Sequence, residues 1–483
     1  MSESEIIKAV NEGFQSVSSL VRSVEEKMDI QKQVIDEQKQ TIDDLNAKIQ
    51  TLEKRLQKLE KLEKTTSKNS NQPPSMDGFK KTKSLRTPSG KKTGGQPGHK
   101  GSTLKISETP NHLIKLHPEF CEGCGEPLAQ VTPTKTIVRQ VFDLPATNIE
   151  ITEFEVGIKV CPQCGLKNES QFPEHVKQNT QYGSKLTSFI AYLHHYQMLP
   201  FKRITELIED TFNQKISEGT VATMIQRVSA SLEDTEEFIK QQLISSSILH
   251  LDETGCYVND ERWWLHVASN NRFTHYHVNK KRGSEAMEAA GILPSFTGTA
   301  IHDQWSPYYK FDDCTHAACN VHHLREFRAM EEIFKQEWAK DMSELLLEAK
   351  DYSETNAYPL PQFKVEDFER RYLEILESGY IQNPKQQGAK NTEPIRLLNR
   401  LTKRQEEVLE FLYQRDVPFE NNRAEIDVRM TKVKQKVSGT FRTSEGAEYF
   451  ARIRGFISTC QKQGINVLEG IRTVFEGNIC PIS

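Results

Sequence analysis

The first sixty residues carry the pattern that most constrains what this chain can become. Ile7, Val10, Phe14, Val17, Val21, Val24 and Met28 are separated alternately by three and four positions. The register runs on through Gln31, Ile35, Gln38, Ile42, Leu45, Ile49, Leu52, Leu56 and Leu59. Residues spaced this way line one seam of a helix, and the helix that carries so long a seam cannot bury it. Residues 1–65 are therefore predicted to form a coiled coil with partner helices, and through it a homo-oligomer. A long helix packed on its own chain is the alternative. Gln31 and Gln38, the polar members of the seam, cost stability and can set register.

After Leu62 the pattern stops. Residues 66–105 are rich in Ser, Lys, Gly and Pro, with Pro73-Pro74 and Gly94-Gly95-Gln96-Pro97-Gly98, and are expected to be a flexible basic linker. Residues 80 to 105 contain eight Lys or Arg and no acid, and residues 423 to 454 contain eight basic side chains against four acidic ones. The chain as a whole has a formal charge of -4, so local patches, not the total, would meet phosphate backbones. Lys80, Lys81, Lys91, Lys92 and Lys100 are candidate DNA contacts in the first patch, and Arg429 and Lys432 in the second. Solvated surface charge is the plain alternative for both.

At 483 residues the chain should fold as about three units. Hydrophobic residues at 36% and charged residues at 27% suit a soluble protein with substantial cores. No run of eighteen apolar residues could span a membrane, and the opening MSESEIIKAV lacks the basic start and apolar stretch of a secretory signal. A cytoplasmic location is expected. Four of the nine cysteines form Cys121-Glu-Gly-Cys124 and Cys161-Pro-Gln-Cys164, each followed by a glycine that lets the chain turn toward the thiolates. Without a secretion signal such pairs read as metal ligands before disulfides. Residues 106–170 are expected to be a small domain around one structural Zn²⁺ held by Cys121, Cys124, Cys161 and Cys164, with strands near 136–142 and 149–159. A redox or disulfide role is the alternative.

Residues 180–235 read as helical, with amphipathic stretches at 182–196, 200–212 and 217–232 and Ser217 as an N-cap. A short helix, a turn containing Lys215 and a second helix follow the order of a helix-turn-helix, so a DNA-binding segment is expected there, with ordinary helical packing as the alternative. From Ser245 the hydrophobic period switches to two. Segments 247–258, 262–269 and 272–278 read as a three-stranded antiparallel meander with turns at Asn259-Asp260 and Asn270-Asn271. A helix at 283–290, a strand ending in Asp303, a strand at 316–321 and a helix from His322 follow. This is the order of a ribonuclease-H-like sheet. The predicted fold is therefore α+β and multidomain, with that core split into residues 245–326 and 413–483 around a helical insertion at 327–412.

In such a sheet Asp252 lies on the first strand and Asp303 at the end of the fourth, side by side on one edge. Two carboxylates there can hold a pair of Mg²⁺ (or Mn²⁺) ions for in-line phosphodiester chemistry. A third carboxylate should come from a later helix. Glu425, in Glu420-Asn-Asn-Arg-Ala-Glu-Ile-Asp-Val-Arg429, is one candidate and Glu420 and Asp427 are its rivals. Glu425 and Arg429 also make an ordinary i, i+4 surface pair.

Taken with Ser67-Lys-Asn-Ser-Asn-Gln-Pro-Pro-Ser-Met-Asp77, Gly94-Gly-Gln-Pro-Gly-His-Lys-Gly101, His250-Leu-Asp252-Glu-Thr254, Cys319-Asn-Val-His322-His-Leu-Arg325 and Asn421-Asn-Arg-Ala-Glu425, the chain resembles the insertion-sequence-66 family of DDE transposases over nearly its whole length. The resemblance implies that Asp252, Asp303 and Glu425 are a catalytic triad. It also implies metal-dependent cleavage at element ends, strand transfer of the 3′-hydroxyl to double-stranded target DNA, and companion proteins from the same element. Cys319 and His322 would support the core near the carboxylates, a packed cysteine and a hydrogen-bonded histidine being the alternative. The chain departs from the family in reading Asp303-Gln-Trp-Ser where Asp-Gly-Tyr or a similar small-residue run is common. It also reads Ala424-Glu425-Ile426 where Ala-Glu-Arg is usual, with Lys432, Lys434 and Lys436 in place of a later Arg-Lys pair. A non-catalytic zinc and coiled-coil DNA-binding regulator derived from a transposase is one rival reading. A hydrolytic nuclease on the same fold is another.

Overall fold

A computed structural model describes residues 3–64, 66, 69–70, 104–145, 148–384 and 390–483. The chain divides into two compact units, Met1–Lys81 with Gly298–Asn422 and Thr82–Thr297 with Arg423–Ser483. The first unit opens with α1 (Glu3–Lys64), one helix of 62 residues. Its sequence has no proline and a single glycine, Gly13, and is dominated by Glu, Lys, Gln and Leu, which lose little on entering a helix. The seam lies in solvent: Val10 is 62% and Phe14 75% exposed, and exposure continues to Leu56.

In the second unit, β1 (Ile158–Val160) and β2 (Lys167–Glu169) pair antiparallel around the second cysteine pair. The strand expected at 136–142 is not formed, and the one expected at 149–159 shrinks to its last two residues. Ile137, Val138 and Val141 stand exposed instead. β-branched side chains favour extended backbone, but a strand also needs a neighbour to take its hydrogen bonds, and sequence composition does not supply one. Four helices follow: α2 (Ser184–His195), α3 (Phe201–Phe212), α4 (Glu218–Ser231) and α5 (Glu233–Ile244). Asn213 ends α3 in the left-handed conformation, and the Ser217 hydroxyl caps α4 by accepting the Thr220 N–H at 3.0 Å.

The meander comprises β3 (Ile248–Val258), β4 (Glu261–Ser269) and β5 (Thr274–Asn279), followed by α6 (Ser284–Ala290). Asn259 and Asp260 both have positive φ (47° and 63°), the backbone that matches a tight hairpin turn to the twist of its strands. β5 begins two residues later than expected. The Asn270 side-chain oxygen accepts the N–H groups of Arg272 and Phe273 at 2.9 and 2.8 Å, which holds both residues in the turn.

Back in the first unit, β6 (Thr299–His302) and β7 (Thr315–Ala318) pair parallel, with Thr299 opposite Thr315 and His302 opposite Ala318. The chain thus contains antiparallel and parallel pairings together with many helices, a mixed α+β composition. Five helices follow: α7 (Asn320–Glu332), α8 (Glu337–Thr355), α9 (Gln362–Gln382), α10 (Glu393–Lys403) and α11 (Gln405–Tyr413). Trp338, Phe327 and Tyr372 fill their core, and the Tyr372 hydroxyl donates to the Leu401 carbonyl at 3.1 Å. Asn69, just past α1, is buried and donates to Glu332 at 2.9 Å.

The chain closes with α12 (Asn422–Ser438), α13 (Ser444–Lys462) and α14 (Val467–Phe475). Cys256, Val258, Leu265, Val267, Tyr276 and Val278 from one face of β3–β5 pack with Ala424, Phe441, Ala447 and Phe450 into the core of the second unit. α13 can approach β5 because residue 455 is glycine: a Cβ there would stand 3.0 Å from the Thr274 carbonyl oxygen.

Candidate active site

Side chains alternate along β3, so Asp252, Thr254, Cys256 and Val258 share one face. Cys256 and Val258 are sealed in the core, whereas Asp252 is half-buried. Across the strands Asp252 stands opposite Val267, and Val267 opposite Tyr276. The Tyr276 hydroxyl donates to the main-chain oxygen of Asp427 in α12 at 3.1 Å. The row that starts at Asp252 therefore ends on the helix that carries Glu425, which is half-buried in the first turn of α12. Asp252 and Glu425 belong to the same unit.

The neighbouring acids have other work. Glu253 points to the opposite face of β3, where Arg282 donates to its Oε1 through Nε at 2.9 Å and Nη2 at 2.7 Å. Asp427 is 7% exposed and accepts from the Ser458 hydroxyl and the Lys462 ammonium, both at 2.9 Å, which fastens α12 to α13. Burial holds the Lys462 pKa below the usual lysine value. Glu420, in the other unit, lies 3.5 Å from Lys350 Nζ.

Asp303 follows directly on β6, and its Oδ1 accepts the Trp305 N–H at 2.9 Å. Between them Gln304 adopts φ 62°, a left-handed backbone that favours glycine. Three hydrogen bonds hold the turn. The Gln304 N–H donates to His302 Nδ1 at 3.0 Å, so the His302 proton must sit on Nε2. That Nε2–H donates to His316 Nδ1 at 2.9 Å, and His316 Nε2–H in turn donates to the Phe311 carbonyl at 3.1 Å. Both rings are therefore neutral, and burial pushes both below the usual histidine range. The Gln304 side chain reaches Glu407 Oε2 at 3.3 Å, which also accepts the Tyr309 hydroxyl at 2.5 Å. Arg404 pairs with Glu407 Oε1 at 2.6 Å and lies 3.4 Å above the Tyr309 ring.

Cys319, at the end of β7, is buried. Its N–H donates to the His302 carbonyl at 2.9 Å, and its thiol accepts the Asn421 N–H at 3.2 Å. It thereby ties the residue before Asp303 to the residue before α12. Asn320 repeats the tie with its N–H on the Phe419 carbonyl at 3.0 Å. His322 lies in the first turn of α7, half-buried, with its N–H on the Cys319 carbonyl at 3.1 Å.

The two cysteine pairs fold alike. The Gly125 N–H donates to the Cys121 carbonyl at 2.8 Å and the Gly165 N–H to that of Cys161 at 2.9 Å, with φ near 78° and 75° at the glycines. The main-chain N–H groups of Cys124 and Gly123 lower the Cys121 thiol pKa, and those of Cys164 and Gln163 lower that of Cys161. Such turns favour thiolates, the donors a closed zinc site needs, and the three carboxylates offer the hard oxygen donors that suit Mg²⁺. Among the described residues no group of three or more His, Cys, Asp or Glu side chains is gathered closely enough to hold a metal ion. Each cysteine pair is brought together, but the two pairs are not.

Of the candidate DNA contacts, Lys80, Lys81, Lys91, Lys92 and Lys100 lie outside the described residues. Arg429 is exposed on α12, whereas the Lys432 ammonium donates to the Gly255 carbonyl at 2.6 Å and braces β3. Sequence reasoning missed His302, His316, Glu407 and Gln304 behind Asp303. No spacing in the sequence links these positions to Asp303. Among the described residues no helix is long and apolar enough to cross a membrane.

The region that holds β3–β7, Asp252, Asp303 and Glu425 is also where comparison with known proteins is informative. A family model described as Transposase IS66 family matches residues 179–449, which defines the class as transposase. The match covers more than half of the 483 residues, and the chain belongs to the IS66 transposase family. Residues 24–105 match a family of unknown function, DUF6444. An uncharacterized protein of Sinorhizobium fredii, y4jO, is 34% identical over 71 residues, which are 15% of this chain and 22% of that protein. The chain thus spans about a fifth of that relative's length.

Proposed function

We propose that the chain is a DDE-type DNA transposase with a ribonuclease-H-like core, cutting phosphodiester bonds at the ends of its element and joining the freed 3′-hydroxyls to target DNA. The observation that supports this reading is the cross-strand row that leads from the strand of Asp252 through Val267 and Tyr276 to α12, the helix of Glu425, within the region matched by the transposase family. Asp303 would complete the set, and the three carboxylates would hold Mg²⁺ or Mn²⁺. When bound, such ions polarise the scissile phosphate and favour the deprotonated form of the attacking water or hydroxyl. The chain's own part is positioning. Asp427, with Ser458 and Lys462, fixes the helix of Glu425, and the His302–His316 chain fixes the turn of Asp303. In each step one P–O bond forms as another breaks, so no protein–DNA bond is needed.

The remaining parts fit the same task. Arg429 and the basic linker would meet DNA phosphates, and α3–α4 would dock on the duplex as a helix-turn-helix. Cys121, Cys124, Cys161 and Cys164 would hold a structural Zn²⁺. The α1 seam would pair copies so that two element ends can be held together, with companion proteins of the element assisting.

A strand-transfer assay on labelled element-end DNA with Mg²⁺ tests the reading. Wild type should yield cleaved and joined products, and Asp252→Asn, Asp303→Asn and Glu425→Gln should abolish both while gel-shift binding persists. Full activity in any variant removes that residue from the mechanism. Cleavage without joining would identify a hydrolytic nuclease, and binding without either a non-catalytic regulator.

A further inference from the structure

We infer that the seam of α1 is shaped for one occupant: α1 of a second copy, laid parallel and in register as a two-stranded coil. This rests on the pairing proposed above and adds its direction, register and strand number. Taking Ile7 as heptad position a, the a residues are Ile7, Phe14, Val21, Met28, Ile35, Ile42, Ile49 and Leu56, all apolar and exposed. Gln31 and Gln38 both fall at d. In a parallel pair d meets d, so at zero offset Gln31 faces Gln31 and Gln38 faces Gln38. Each amide then donates to the carbonyl of its twin.

An antiparallel pair sets d against a. Because every a residue is apolar, no antiparallel offset lets a glutamine meet a glutamine. All four amides would be pressed against side chains such as Met28 and Ile35, losing water without gaining a partner. A parallel pair slipped by one heptad matches Gln31 with Gln38 once and strands the other two. Only the unslipped parallel arrangement satisfies all four.

The apolar positions fix the number of strands. Ile42 and Ile49 at a alternate with Leu45 and Leu52 at d, the combination that favours two helices over three or four. In the parallel pair Lys48 attracts Glu53 of the second copy while Lys27 repels Lys32, so the proposal does not rest on these charges. Direction is set by the amide layers. Its consequence is spatial: α1 is about 90 Å long, so a parallel pair brings both C-terminal ends side by side, whereas an antiparallel pair would hold them that far apart.

Amine cross-linking of the full-length chain with peptide mapping reads the direction. Lys8 and Lys48 are exposed, and forty residues of helix separate them by on the order of 60 Å within one chain, so a link between them can form only across an antiparallel pair. The parallel arrangement gives Lys8–Lys8 and Lys48–Lys48 links and no Lys8–Lys48 link; a Lys8–Lys48 link overturns it. Light scattering on the same sample separates the two layers of the argument. A monomer sinks the pairing itself, and a trimer or tetramer overturns the strand number. In the double variant Gln31→Leu, Gln38→Leu, pairing should persist while Lys8–Lys48 links appear alongside the others. Unchanged exclusive direction in that variant would show that the amide layers do not set it.

Discussion

At Gln304 the main chain runs through φ 62° immediately after Asp303, with its N–H on His302 Nδ1 and its side chain on Glu407. A non-glycine residue in that region is strained, by roughly 1–2 kcal/mol for an ordinary side chain. Gln304→Gly removes the strain and the Glu407 contact together, so the two effects oppose and stability should stay within about 1 kcal/mol of wild type. Gln304→Val loses the same contact and keeps the strain, and should unfold at lower urea, about 1–2 kcal/mol below the glycine variant. Equal midpoints for the two variants would mean that the backbone conformation is not what residue 304 must provide. Of the proposed site, Asp252 and Asp303 follow from the order of the strands, although an isolated aspartate such as Asp303 reads equally as a turn residue, and its Oδ1 does accept the Trp305 N–H. Spacing left Glu425, Glu420 and Asp427 unseparated, because what distinguishes them is tertiary. Asp427 is spoken for by Ser458 and Lys462, residues more than thirty positions away. The His302–His316 pair was illegible for the same reason, since nothing periodic connects the two positions.

Among the elements, α13 lies against β5 at a single point of closest approach. Alanine is the better helix former by about 1 kcal/mol, yet a Cβ at 455 would stand 3.0 Å from the Thr274 carbonyl oxygen, an atom fixed by the strand. Gly455→Ala should therefore destabilise, by about 1–3 kcal/mol in a urea titration; a gain in stability would mean that the helix can slide off at no cost. The cysteine turns invite a chemical test. If one Zn²⁺ is shared by both pairs, elemental analysis of the purified chain should find it in wild type and lose it in Cys121→Ser and in Cys161→Ser alike. Loss in only one variant would leave the other pair without a metal role. Helix boundaries in α2–α4 and the meander came within about two residues of the sequence reading, because period, caps and turn residues agreed there. The segments at 136–142 and 149–159 had β-branched composition and nothing more, and pairing followed only at Ile158 and Lys159.

At the scale of the molecule, several histidines are kept neutral by the fold. Burial brings His194, His266 and His277 down to about 4, and His195 and His302 well below the ordinary value. The unfolded chain takes up protons near 6.5, before the folded chain does. Their contribution to stability is thus complete above that pH and is lost as the pH falls toward 4, by up to about 1.4 kcal/mol per pH unit for each histidine. Urea midpoints should drop steadily from pH 7.5 to 5, and a flat profile would show that these rings reach solvent in the native state. α1 adds a dependence of another kind. It leaves a row of valines, isoleucines and leucines in water. If α1 pairs with a second copy as proposed, dilution would strip the row bare and crowding with like chains would cover it again, so mass action, acting through sheer abundance, would govern how much of the protein is dressed for work.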